Sequence, residues 1–131
     1  MSKAKRKTTT PTKPTKDQRI IEACVLYYTM EQAVAGAFKA DPDPNNVNAE
    51  KVDDAYWKHR QKALKAAGAS AETVPGIRAK VRTLSLMFEQ EKDMGKLEGP
   101  RFDFAASVAR DVEAMLSKWI DEQGPAPVVQ S

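Results

Sequence analysis

Residues 74–88 read Val74-Pro75-Gly76-Ile77-Arg78-Ala79-Lys80-Val81-Arg82-Thr83-Leu84-Ser85-Leu86-Met87-Phe88. Val74, Ile77, Val81, Leu84 and Phe88 recur at intervals of three and four. That spacing stacks them on one side of a helix with about 3.6 residues per turn, whereas a strand would scatter them over both faces. The opposite side carries Arg78, Arg82, Glu89 and Lys92. Ser70 or Thr73 can start this helix, with Pro75 in the first turn, where a missing N–H costs nothing.

The same reading extends in both directions. Upstream, Asn48 to Ala67 predicts a helix whose inner face is Val52, Ala55, Tyr56, His59, Ala63 and Ala66, ended by Gly68. Before it, Asp41-Pro42-Asp43-Pro44-Asn45-Asn46 is a turn, because proline cannot continue a helix and Asp and Asn tolerate turn geometry. The first helix is expected from Asp17 to about Ala40, capped by Thr15 or Asp17, with a stripe of Ala23, Leu26, Met30, Ala33 and Ala37 flanked by Tyr27, Val34 and Phe38. Residues Ile20 to Tyr28 are apolar almost all round, so that segment is either deeply buried or covered by another subunit. Thr29 with Gln32 has the form of a capping box, which leaves open a break there. Downstream, a connection through Gly95, Gly99 and Pro100 leads to a helix from about Asp103 that buries Ala105, Val108, Val112, Met115, Leu116 and Trp119 and stops at Gly124-Pro125.

Four amphipathic helices on short connections predict an all-α antiparallel bundle over 17–123. Residues 1–16 are Lys, Thr, Pro and Ser with almost nothing apolar, and are expected to be a disordered basic tail; 124–131 are expected to be a flexible C-terminal tail. Six of the 21 basic groups and none of the 18 acidic groups lie in residues 1–16, so 15 basic and 18 acidic groups remain from Asp17 onward. The net positive charge therefore belongs to the tail, and the body is mildly acidic. The lone cysteine, Cys24, excludes an internal disulfide and suits a reducing compartment. No apolar stretch approaches the ~20 residues of a membrane span, and no apolar h-region follows the basic N-terminus, so a cytoplasmic location is expected.

The candidate chemistry is sparse. Lys3, Lys5, Arg6, Lys7, Lys13 and Lys16 can bind phosphates by counterion release, and Arg78, Lys80 and Arg82 form a second basic strip. Without an interleaved aromatic residue, the tail offers no base stacking. A cation at Lys80, near a helix N-terminal half, is unfavourable to the helix dipole and calls for a carboxylate or an external anion. Ile20, Ile21, Val25 and Tyr28 are the candidate interface. One histidine and one cysteine exclude the usual multi-ligand metal sites, so neither metal nor cofactor is expected. Asp41-x-Asp43-x-Asn45 resembles the first ligands of a calcium loop, but Asn46 and Val52 stand where such a loop needs Gly and a bidentate Glu.

Three resemblances bear on function. His59-Arg60-Gln61-Lys62-Ala63 resembles the His-x-x-Lys-Gly core of histidine-phosphotransfer domains, with Ala63 in place of glycine. Thr29 to Val34 resembles the Gln-x-x-Ala rhythm of phage small-terminase helix-turn-helix domains. Ala71, Thr73, Gly76, Ile77, Ala79, Lys80 and Leu84 match a pattern, Pro-Ala-x-Thr-x-x-Gly-Leu-x-Ala-Lys-x-x-x-Leu, found in small helical proteins abundant in alphaproteobacterial genomes. Ser70 replaces the usual proline, Pro75 replaces a small residue, and the Asp111 to Leu116 helix is similar too. This last resemblance implies an all-helical fold and a bacterial origin, and it implies no activity. The residues together predict a non-enzymatic interaction or regulatory protein that self-associates. The alternative is a nucleic-acid-associated protein of phage or mobile-element origin working through its tail, and a remoter one is phosphotransfer through His59.

Overall fold

The computed structural model describes residues 13–90 and 98–124; the remainder of both tails and the 91–97 connection lie outside the described residues. Four α-helices follow one another, α1 (Lys16–Ala40), α2 (Val47–Ala67), α3 (Val74–Gln90) and α4 (Gly99–Gln123), with no strand among the described residues. Thr15 caps α1: its hydroxyl accepts from the Gln18 amide at 3.1 Å, and the Gln18 side chain accepts from the Thr15 amide at 2.8 Å. The helix runs unbroken through Thr29, whose hydroxyl donates back to the Val25 carbonyl at 2.9 Å and so caps nothing. At the first turn, Asp41 reaches over to accept from the Ala49 amide at 2.7 Å, which caps α2 in place of Asn46, a residue held at a left-handed φ of 56°.

Specific contacts set the helix directions. Glu31 meets Arg60 and Asp41 meets Ala49, so α1 and α2 are antiparallel. Asp17 meets Thr73 and Cys24 lies beside Thr83, so α1 and α3 are parallel. Arg101 reaches Glu31 near Arg60 while Arg110 reaches Gly68, so α4 runs with α2 and against α3. The helices that pack together are α1 with α2, α1 with α3, α3 with α4 and α2 with α4. The ring order is thus α1-α2-α4-α3, and α2 and α3, joined by only six residues, sit diagonally. Residues 68–73 must cross the end of the bundle.

A crossing segment carries backbone polar groups into the interior, and each needs a partner. Three side chains from three helices provide them. Lys80 of α3, fully buried, donates to the Ala69 carbonyl at 2.7 Å and to Asp111 Oδ2 of α4 at 2.5 Å. Asp111 Oδ2 also accepts from the Ala71 amide at 3.0 Å. From α1, buried Asp17 accepts from the Glu72 amide at 3.1 Å, the Thr73 amide at 2.8 Å and the Thr73 hydroxyl at 2.6 Å. The Thr73 hydroxyl in turn accepts from the Gly76 amide at 3.2 Å and so caps α3. Gly76 is glycine because Asp17 leaves no room: a methyl group there would overlap the Asp17 carboxylate. Lys80 thus finds its carboxylate inside the protein, at Asp111.

The helix faces differ from those the apolar spacing predicts. On α1 the buried positions are Asp17, Ile20, Ala23, Cys24, Tyr27, Met30, Glu31 and Val34, while Leu26 is 52% exposed and Ala33 is exposed. On α2 Arg60, not His59, faces inward. On α3 the buried set is Gly76, Ile77, Lys80, Thr83 and Met87, with Val74, Val81 and Phe88 exposed. On α4 burial stops at Asp111; Val112 and Met115 are half-buried, and Leu116 and Trp119 are exposed. On α1, α2 and α3, buried, paired charges occupy core positions that an apolar pattern cannot mark, and part of the apolar stripe faces outward; on α4, Leu116 and Trp119 lie past Met115, the last residue packed on the core.

Two outcomes are expected. Lys80→Met and Asp111→Leu should each destabilise by about 3–5 kcal/mol in urea unfolding, since either leaves one buried charge unpaired, while the double variant should lose far less than the sum. Additive losses would contradict the pairing. For Asp17, burial pushes the carboxyl pKa up, but the Thr73 hydroxyl, the Glu72 and Thr73 amides and the Lys16 charge outweigh it and hold the pKa below 3.8. A carboxyl depressed in the folded state adds stability that is complete above its unfolded pKa and lost as pH falls through the folded value. The stability gap between the native chain and Asp17→Asn should therefore hold near neutrality and close below about pH 4; a gap unchanged down to about pH 2 would contradict it.

Candidate functional site

Among the described residues, two grooves between helices bear on function. The first, about 810 Å³, separates α1 from α3. Ile21, Cys24, Val25 and Tyr28 form one wall; Val74, Pro75, Ala79 and Leu86 form the apolar part of the other, and Arg78 and Arg82 supply cations along it. Ile21 is half-buried, and Val25 and Tyr28 are 59% and 49% exposed. These are three of the four residues predicted as an interface. The fourth, Ile20, is 1% exposed: it points into the core one turn position away and offers nothing to a partner. Cys24 lies at the base of the groove. Burial pushes its thiol pKa up despite Thr83 and Lys80 nearby, so it is a poor nucleophile at neutral pH.

The second groove, about 730 Å³, separates α2 from α4 and is lined by Lys58, Lys62, Lys65 and Arg110, with Asp103 the acid among them. Lys58, Lys62 and Lys65 stand four and three residues apart and share one exposed face. The sequence reading passed over this cationic row. Its signal was present in the lysine spacing, on a helix that carries five basic groups and three acidic ones.

The predicted basic residues divide. Lys3, Lys5, Arg6 and Lys7 lie outside the described residues. Lys13 is exposed, and Lys16 is the first residue of α1, paired with Glu72 at 3.1 Å. Arg78 and Arg82 are exposed on the first groove. Lys80 is removed from the strip: it is wholly buried and committed to Asp111, so no external anion can reach it.

A second buried charge network joins α1 to α2. Arg60 donates to Glu31 at 3.2 Å, to the Asp53 carbonyl at 3.2 Å and to the Asp53 carboxylate, and its guanidinium lies 5.7 Å from the Trp57 ring. Arg101 Nη2 comes within 3.9 Å of Glu31. Tyr27, buried beside them, has its hydroxyl pKa raised by burial and by Glu31, against the opposing charge of Arg101. His59, one residue before Arg60, faces solvent, and its expected place on the inner face is taken by that arginine. Asp41 and Asp43 turn carboxylate oxygens to the Asp43 and Asn45 amides at 2.9 Å and 2.8 Å, stabilising the turn. No helix among the described residues is long and apolar enough to cross a membrane. The chain matches no protein-family model, no curated protein and no solved structure.

The reversal on α2 has a direct check. Arg60→Ala should cost about 3 kcal/mol or more by leaving Glu31 buried without its main cation, whereas His59→Ala should stay within about 0.5 kcal/mol. The opposite ranking in urea unfolding would contradict the assigned face.

Proposed function

We propose that this chain is a non-enzymatic helical interaction protein that works by self-association. The observation that carries this reading is the α1–α3 groove, where Ile21, Val25, Tyr28 and Val74 present adjoining apolar surface, Val74 being 65% exposed. Contiguous exposed apolar surface of this kind marks binding surfaces on soluble proteins. A bacterial, cytoplasmic setting suits the lone cysteine and the family resemblance of the Ala71–Leu84 stretch. Light scattering of the full-length protein should give a mass above 14.5 kDa that rises with concentration. A constant monomer mass at high concentration would overturn self-association.

A second reading, association with nucleic acid, is favoured by the cationic row of Lys58, Lys62, Lys65 and Arg110 beside the tail's own basic residues. Counterion release would then supply the affinity. Binding to duplex DNA or RNA should fall steeply with salt, and Lys58→Ala/Lys62→Ala/Lys65→Ala should flatten that slope by about two to three phosphate contacts. No binding at low salt would end this reading, and a slope unchanged by the triple substitution would confine it to the tail.

A further inference from the structure

Beyond Asp111, only Val112 and Met115 of α4 pack against the core of their own bundle. From Glu113 to Gln123 every residue but Met115 is exposed, yet Met115, Leu116, Trp119 and Ile120 line one side, with Trp119 57% and Ile120 52% exposed. A helix that served only to meet solvent would not carry this stripe. Three of its four charged residues are acidic: Glu113, Asp121 and Glu122 against Lys118. The α1–α3 groove has the matching character, apolar at Ile21, Val25 and Val74 and cationic at Arg78 and Arg82, with one acid, Glu89, at its far end. The lengths agree as well. The eleven exposed-segment residues of α4 span about 16 Å, and the groove follows α3 for about 22 Å from Val74 to Glu89.

The chain cannot fill its own groove with this segment. Asp111 already sits at the end of the bundle, bonded to Lys80 and to the Ala71 amide of the crossing segment, and α4 continues from it as one helix to Gln123. We propose that the C-terminal turns of α4 from a second copy of this chain occupy the α1–α3 groove, and that the exchange is reciprocal. Reciprocity closes the assembly as a two-fold dimer, whereas one-way docking would propagate into a filament. Arg78 and Arg82 then face the acidic flank of the incoming helix, and Trp119 enters the apolar section beside Val25. This inference rests on the self-association reading and names its interface.

The test uses full-length protein, with light scattering and sedimentation as readouts and urea unfolding to check that each variant is folded. Trp119→Ser removes the docking helix's largest apolar group at an exposed position, and Arg78→Glu/Arg82→Glu reverses the groove's charge. Each should weaken the dimer at least about tenfold. Adding Asp121→Arg/Glu122→Arg to the groove variant should restore it. If the native protein is a dimer that neither variant weakens, or Asp121→Arg/Glu122→Arg does not restore association to Arg78→Glu/Arg82→Glu, the exchanged-helix interface is overturned while self-association stands. A monomeric native protein overturns both.

Discussion

The buried contact between Lys80 and Asp111, 2.5 Å apart, is the constraint on which the rest of the bundle depends. Its cost is desolvation of two charges, which a dry interior repays only when every remaining polar partner is also satisfied. Here the pair does more than neutralise itself. Lys80 takes the Ala69 carbonyl and Asp111 takes the Ala71 amide, so the two charges hold the segment that crosses from α2 to the diagonal α3. Asp17 completes the arrangement at Glu72 and Thr73. An apolar pair of the same volume could fill the space but could not satisfy those backbone groups. The ring order α1-α2-α4-α3 therefore requires polar side chains at core positions of α1, α3 and α4.

Burial of those charges also shapes the surface. With Gly76, Lys80 and Thr83 turned inward, α3 leaves Val74, Val81 and Phe88 outside. On α1 the inward turn of Asp17 and Glu31 leaves Val25, Leu26 and Tyr28 outside. The unusual polar core and the apolar groove are thus two sides of one rotation of the helices, and the surface available for association follows from what holds the crossover in place.

The ends of α1, α2 and α3 were legible in the sequence because they are local: Thr15, the prolines at 42 and 44, Gly68, and Pro75 act within a turn of where they stand. The start of α4 was not: it begins at Gly99, inside the stretch expected to be a connection, because Pro100 is tolerated in its first turn. The inner faces were legible only in part. Apolar periodicity correctly marks Ala23, Met30, Ile77 and Val108, but it cannot see that Arg60 has Glu31 and Asp53 waiting, or that Lys80 has Asp111. The helix dipole pointed to a carboxylate or an external anion for Lys80; that the partner is Asp111 depends on a contact 31 residues away. Of the candidate interface, Ile21, Val25 and Tyr28 line the groove, and Ile20 fails because a segment apolar all round gives no angular information. The lysine row of α2 was readable from spacing alone, although its groove needs α4.

Amide hydrogen exchange at Ala71, Glu72 and Thr73 tests most directly whether the crossover is held as part of the core. These amides belong to a six-residue connection that would ordinarily exchange quickly, yet each is bonded to a carboxylate of another helix. The account predicts that all three exchange as slowly as the amides of Leu64 and Ile77, opening only with global unfolding. Exchange at the rate of an exposed loop, with the helices still protected, would contradict it.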